Sequence, residues 1–320
     1  MRTDLVYGPI QADLARVEQA FGSLKDVDYG PLAQMLELVL AGGGKLLRPA
    51  LALLAGRFGK YNLDLLVPVA VSVELLHTAT LVHDDVIDNA TTRRRRPTAN
   101  SVFHNSTTVM LGDYMFAHAA DQIARTGNIQ VVRLFSRTLL VMARGEIRQD
   151  LTAYDSRQTV RDYLQRIGGK TASLFATACE GGALVCNVPE RWTEALRDYG
   201  YNFGMAFQIV DDILDFTGDE TEMGKPMGSD LMQGTLTLPS LLLIERYPSS
   251  NPVEKYCARP SKALLAQAVK MICASDIPRE SYDMARSFSR RAKEALVPLP
   301  HNADRQTLLD LVDSILDRRS

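Results

Sequence analysis

Apolar residues return every three or four positions along almost all of this 320-residue chain, the interval that gathers them on one face of a helix. The pattern predicts helices over residues 5–21, 32–41, 46–58, 65–89, 107–125, 129–151, 160–186, 192–216, 238–247, 262–275, 279–297 and 305–318. Alternating apolar and polar positions, the mark of a half-buried strand, form no convincing run. The fold class expected is therefore all-α. Breaks fall at the glycine run 42–44, at the arginine-rich stretch 91–98 and across 218–234. A Pro- and Ser-rich connection, 247–260, reads as an exposed turn between late helices.

Composition narrows the partners. With 46% hydrophobic residues the chain can bury a large core, and 36 basic against 38 acidic residues leave a formal net charge of −2. No bulk electrostatic case exists for nucleic acid or an anionic membrane. Cys179, Cys186, Cys257 and Cys273 show no metal-ligand spacing and read as buried free thiols of a reducing compartment, so a cytoplasmic location is expected. The first residues are amphipathic and acidic, unlike a signal peptide, and no stretch reaches the roughly 18 uncharged apolar residues of a membrane span.

Two aspartate-rich pentads carry the chemistry: Asp84-Asp85-Val86-Ile87-Asp88 and Asp211-Asp212-Ile213-Leu214-Asp215. At about 100° per residue, carboxylates four apart lie roughly 40° from each other around a helix and can clamp a divalent cation. An acidic solvated face is the bland alternative. Against it, Ala79, Leu81 and Val82 flank the first pentad, and Phe207, Ile209, Val210 and Phe216 flank the second. Carboxylates set in an apolar wall repel one another and resist desolvation unless a cation compensates them. For both claws to act together they must serve one cavity, which favours one domain over residues 1–320.

Cations accompany the claws. In AGGGKLLRP, glycines 42–44 precede Lys45 and Arg48 at a helix start, an arrangement suited to an anion because N–H groups, dipole and side-chain charge coincide there. It lacks the glycine and Lys-Ser/Thr order of a nucleotide P-loop. His77 precedes Asp84 by about two helical turns and points the same way as the claw. Further along come Arg93 to Arg96, Lys170-Thr171 after two glycines, Gln208 one turn before the second claw, and Lys225 in a glycine-punctuated loop. The Arg run lacks the aromatic interleaving of a nucleic-acid patch. Carboxylates fit for Mg2+ beside several Lys and Arg suit a diphosphate. No Ser-His-Asp, Cys-His or paired-carboxylate hydrolase pattern supplies a nucleophile or base. The site expected is one that lets a diphosphate depart and shields the resulting carbocation from water.

From GGGKLLRP through VELLHTATLVHDDVID, RRRRPTAN, GGKTASL and GMAFQIVDDILD to GKPMGSDL, with TLTLP after it, the ordered motifs resemble the trans-isoprenyl diphosphate synthases of the polyprenyl synthetase family. The resemblance implies a single bundle of antiparallel helices around a deep central cavity, usually as a homodimer. It implies that Asp84, Asp85, Asp88, Asp211, Asp212 and Asp215 bind several Mg2+ ions gripping an allylic diphosphate. Arg93, Lys170, Thr171, Gln208 and Lys225 would contact that substrate, with Lys170 and Gln208 acting in catalysis. Gly44, Lys45, Arg48, His77 and Arg94 would hold isopentenyl diphosphate. The implied reaction is ionisation, attack by the isopentenyl double bond and proton loss to the released pyrophosphate.

Two departures stand out: Arg95 occupies the place of a usual glycine, and Thr235 that of a frequent lysine. Two rivals remain: a class I terpene cyclase or head-to-head condensing enzyme, which would not need the Lys45, Arg48 and His77 site, and a non-catalytic partner subunit, which would be expected to lose claw residues. Four and five positions before Asp84, Thr80 and Ala79 stand where short-chain members carry a bulky aromatic floor. The expected product is a long-chain all-trans polyprenyl diphosphate, heptaprenyl to decaprenyl, with geranylgeranyl or farnesyl diphosphate as the alternative.

Overall fold

The computed structural model describes residues 7–41, 44–93, 95–218, 226–249 and 251–317, and these are helical almost throughout. The chain forms two compact units: Met1–Thr138 with Leu174–Gly200 and Ala295–Asp310, and Leu139–Ser173 with Tyr201–Glu294 and Leu311–Ser320.

The first unit contains α1 (Gln11–Gly22), α2 (Gly30–Leu40), α3 (Leu47–Gly56), α4 (Leu63–Ile87), a short α5 (Ala99–Val102) and α6 (Asn105–Arg125). Its centre is α4. Asn62 caps that helix by accepting a hydrogen bond from the Asp64 N–H at 3.0 Å. Helix α4 is apolar nearly all round because it is covered nearly all round, α6 forming its most extensive contact and α3 and α1 covering other faces. By length and composition α4 would cross a membrane, yet 61% of its most apolar stretch is buried within the protein, as in the core helix of a globular unit. Ser72 Oγ satisfies itself inside this contact by donating to the Ala119 carbonyl at 2.7 Å.

A small exception to the all-helical expectation follows α4. Two-residue strands β1 (Thr92–Arg93) and β2 (Arg96–Pro97) pair antiparallel, with Arg93 opposite Arg96. The turn between them holds Arg95 at φ 63°, in the left-handed region that favours glycine. Arg96 donates to the Ala41 carbonyl at 2.6 Å, tying the hairpin to the C-terminal end of α2.

Helix α7 (Ile129–Leu151) leads towards the second unit, where α8 (Val160–Ile167) starts from a reciprocal Thr159–Asp162 capping box. The sequence reads as one helix over 160–186. Instead, a wide π turn, Gly168–Ala172, separates α8 from α9 (Ser173–Val185). Then α10 (Glu190–Thr217) delivers the second pentad, and α11 (Ser229–Met232) and α12 (Leu238–Arg246) follow.

The expected exposed turn over 247–260 is a correction. Asn251 Oδ1 accepts from the Glu254 N–H at 2.7 Å and opens α13 (Pro252–Ala258), with Val253 and Tyr256 buried. Asn-Pro here is an N-cap followed by the proline favoured at the first helical position, and the breaker reading missed it. Helices α14 (Lys262–Cys273), α15 (Ile277–Ala295) and α16 (Ala303–Leu316) complete the chain. The thiols also depart in part from expectation: Cys179 and Cys186 are buried, Cys257 is half-buried and Cys273 is exposed. On the second-unit part of α7, Leu140, Ile147 and Leu151 present an apolar stripe, 70%, 61% and 78% exposed.

Candidate active site

In the first unit the Asp84–Asp88 claw ends α4. Asp84 is half-buried, Asp85 is 6% exposed, and Asp88 is the exposed C-cap residue. Arg93 Nε donates to Asp85 Oδ1 at 2.8 Å. Burial is the largest influence on the Asp85 carboxyl and pushes its pKa up; Arg93 pulls it down and Asp84 pushes it further up. The helix end is fixed from outside by Asn100, whose amide donates to the carbonyls of Asp85 and Ala90 at 3.1 and 3.0 Å. Asn100 closes the RRRRPTAN motif, but its positioning role was not legible from residue type.

Near the C-terminal end of α4, immediately before Asp84, the His83 ring fills the space a Cβ on Gly112 would take, which would lie 2.1 Å from Nε2. His83 Nε2 is 2.9 Å from the Val109 carbonyl. Glycine in α6 thus sets the roll of α4 immediately before Asp84.

A cavity of about 380 Å3 in this unit is lined by Gly44, His77, Asp85, Arg93 and Arg96, among others. Of the sequence-predicted set it brings together Asp85, Gly44, His77 and Arg93, while Asp84, Asp88, Lys45 and Arg48 are not among its lining residues. Lys45 is exposed, with its carbonyl held by the Tyr7 hydroxyl at 2.9 Å. Arg48 lies 4.3 Å over the Phe175 ring, a cation–π contact that aims a half-buried guanidinium. Ala79 has 0% exposure and does not line this cavity. Arg94 and Lys225 lie outside the described residues.

In the second unit Asp211 is half-buried, while Asp212 and Asp215 are 3% and 1% exposed. Both Asp212 oxygens accept hydrogen bonds: Oδ1 from Gln208 Nε2 at 2.8 Å and Oδ2 from the Tyr163 hydroxyl at 2.6 Å. The Asp212 carboxyl is pushed up to about 8, first by burial and then by Asp230, against the pull of Tyr163, Gln208 and Arg166. Thr171 meets Gln208 in turn, at 2.7 Å. Lys170 pairs with Glu146 at 2.8 Å. Asp215 is engaged differently, accepting from Ser229 Oγ at 2.6 Å and the Asp230 N–H at 3.2 Å, so it anchors the start of α11. Thr235, the second departure, is half-buried, its N–H donating to the Asp230 carbonyl at 2.9 Å.

Among the described residues no three acidic, histidine or thiol side chains form a ready-made metal cage. In each unit, buried carboxylates with bonded donors supply the oxygen set that a hard cation and a diphosphate ester require. The chain belongs to the polyprenyl synthetase family, whose model matches residues 30–272, and is a prenyltransferase. It is 40% identical over 311 residues to heptaprenyl diphosphate synthase component 2 of Geobacillus stearothermophilus, covering 97% of each chain. Over 317 residues it is 36% identical to an all-trans-nonaprenyl-diphosphate synthase (geranyl-diphosphate specific) of Rhodobacter capsulatus, covering 98% of this chain and 97% of that one. The crystal structure of a polyprenyl synthase from Caulobacter crescentus CB15, complexed with calcium and isoprenyl diphosphate, matches with a TM-score of 0.94 at 35% identity, covering 99% of this chain and 98% of that one.

Proposed function

We propose that the protein condenses isopentenyl diphosphate with an allylic diphosphate, head to tail and in trans, to a long-chain polyprenyl diphosphate. The observation that carries this reading is the retention of both carboxylate pairs, each with its supporting donors, in a chain similar to heptaprenyl and nonaprenyl diphosphate synthases. The reading requires both claws to serve one substrate and so treats residues 1–320 as one catalytic domain.

Asp84, Asp85, Asp88, Asp211 and Asp212 would hold Mg2+, a fit the hard oxygen donor set supports, with Asp215 adding to it or anchoring α11 from behind. Bound there, Mg2+ supplies charge neutralisation to the departing diphosphate. Arg93, Lys170 and Lys225 would add positive charge, with Lys170 and Arg93 exchanging Glu146 and Asp85 for phosphate oxygens. Gly44, Lys45, Arg48, His77 and Arg94 hold isopentenyl diphosphate. Thr171 and Gln208 sit against the allylic end. The apolar walls around each claw exclude water, so the carbocation meets the isopentenyl double bond first, and the released pyrophosphate takes the proton.

Two copies would pair through the exposed α7 stripe, in the cytoplasm and without a membrane-spanning segment. The Geobacillus relative is a "component 2", which favours a second reading in which turnover needs a different partner chain. Incubating the purified protein alone with Mg2+, radiolabelled isopentenyl diphosphate and geranyl, farnesyl or geranylgeranyl diphosphate, then sizing the products, tests both. Products of seven to ten isoprene units are expected; no turnover alone but turnover with a cell extract would favour the partner reading, and arrest at farnesyl diphosphate would overturn the chain length.

Ala79 offers a sharper handle on length. One helical turn rises about 5.4 Å, close to one isoprene unit, so a large residue one turn below the claw blocks elongation. Because Ala79 is fully buried, Ala79→Phe also crowds its neighbours. Shorter products with a lower Tm are expected, and unchanged products would place the floor elsewhere.

A further inference from the structure

We infer that Tyr163 is a positioning residue that holds Asp212 in the orientation its cation needs, a role that rests on the prenyltransferase reading above. Tyr163 has 0% exposure, and its hydroxyl reaches Asp212 Oδ2 at 2.6 Å. The opposite oxygen accepts from Gln208, and the Thr171 hydroxyl donates to Gln208 Oε1 at 2.7 Å. A reversed Gln208 amide would set its oxygen against the carboxylate, acceptor facing acceptor, so the direction of this chain is fixed.

The donors on Asp212 are neutral. Each occupies one lone pair, prevents the carboxylate from rotating, and leaves a further lone pair on each oxygen. Asp85, in contrast, is held by the positive charge of Arg93. Arg166 does not take that place at Asp212: its Nη2 donates to the Leu236 carbonyl at 2.5 Å and its Nη1 to Gln158 Oε1 at 3.0 Å. Among the described residues, Asp212 therefore keeps its orientation without a bonded cation of the protein's own.

The π turn explains how one helical segment supplies both ends of the chain. Eight residues of α-helix would carry Thr171 roughly 80° away from the face of Tyr163. A turn widened by one residue brings it back to within about 20°. Gly168, which opens that turn, allows it: a Cβ there would stand 2.6 Å from the Tyr201 hydroxyl.

Tyr163→Phe keeps the ring and removes one donor. Loss of a group that orients a metal ligand weakens metal binding or turnover by about 10- to 100-fold. The expected result is that Mn2+ affinity, followed by electron paramagnetic resonance with and without inorganic pyrophosphate, falls in that range. The fall in kcat should be comparable, with the metal-free Tm within about 3 °C of wild type. Thr171→Val, which breaks the far end of the chain, should weaken Mn2+ in the same direction by a smaller factor, and it carries the test if Tyr163→Phe does not fold.

Wild-type Mn2+ affinity in both variants, with the wild type active, overturns the positioning role and leaves the function standing. A large drop in Tm with unchanged Mn2+ affinity per folded molecule assigns Tyr163 to packing and overturns it too. A wild type that neither binds Mn2+ nor turns over substrate removes the claw, and this role with it.

Discussion

At the scale of single residues, the claws are held by their neighbours more than by their own spacing. Asp84→Ala and Asp211→Ala are each expected to lower kcat/KM on the order of a thousandfold, the scale lost when a charge-stabilising contact is deleted. Because each removes a carboxylate that repels its neighbours, the metal-free Tm should hold or rise; near-normal turnover at saturating Mg2+ would sink the assignment. Arg95 gives a contrasting case. It stands at φ 63°, where an L side chain costs about 1–2 kcal/mol relative to glycine. Arg95→Gly should therefore keep or raise the Tm and leave kcat/KM within about threefold, while Arg93→Ala, which strips Asp85 of its guanidinium, lowers kcat/KM about a hundredfold. If Arg95→Gly proves the more damaging of the two, the arginine register of the hairpin has shifted. The aspartates, arginines and His77 were legible in the sequence because charge on an apolar helix face is conspicuous. Tyr163 and Asn100 were not, since one tyrosine or asparagine in a helical pattern is indistinguishable from an ordinary core or cap residue until its partner is seen.

At the scale of elements, the contact of α4 with α6 sets where the first claw points. Gly112→Ala would put a methyl group into the His83 ring, and an overpacked contact of this kind costs about 1–3 kcal/mol. The outcome expected is a lower Tm together with a lower kcat, because the turn that moves is the one before Asp84; a lower Tm with unchanged kcat per folded molecule would separate α6 from the claw. Long helices such as α4, α6 and α7 were legible because their apolar period persists over many turns. The π turn was not, since Gly-Gly-Lys-Thr-Ala-Ser-Leu keeps a helix-like pattern through a single extra residue. Nor was α13, whose Asn-Pro start carries the same letters as a loop. The β1–β2 hairpin lay inside a recognised break, and its two-residue strands are too short for alternation to show.

On the scale of the whole molecule, stability and assembly depend on groups remote from the claws. Glu180, half-buried on α9, has its carboxyl pKa raised chiefly by burial, with Arg197 opposing and Asp198 adding to the rise. The folded state thus favours the protonated form more than the unfolded chain does. The resulting penalty is absent below the ordinary carboxylate range, grows as pH climbs to the raised folded value, and stays constant above it. Glu180→Gln should raise the Tm by about one or two degrees at pH 8 and leave it unchanged at pH 4; a gain of equal size at both would point to packing rather than charge. The stripe of Leu140, Ile147 and Leu151 bears on a different variable. Once a second surface covers those side chains, mass action enters: each tenfold dilution draws copies apart and lowers the apparent melting temperature. A thermal scan repeated from micromolar to nanomolar protein would then drift downward, and the enzyme's robustness would depend on how much of it a cell makes.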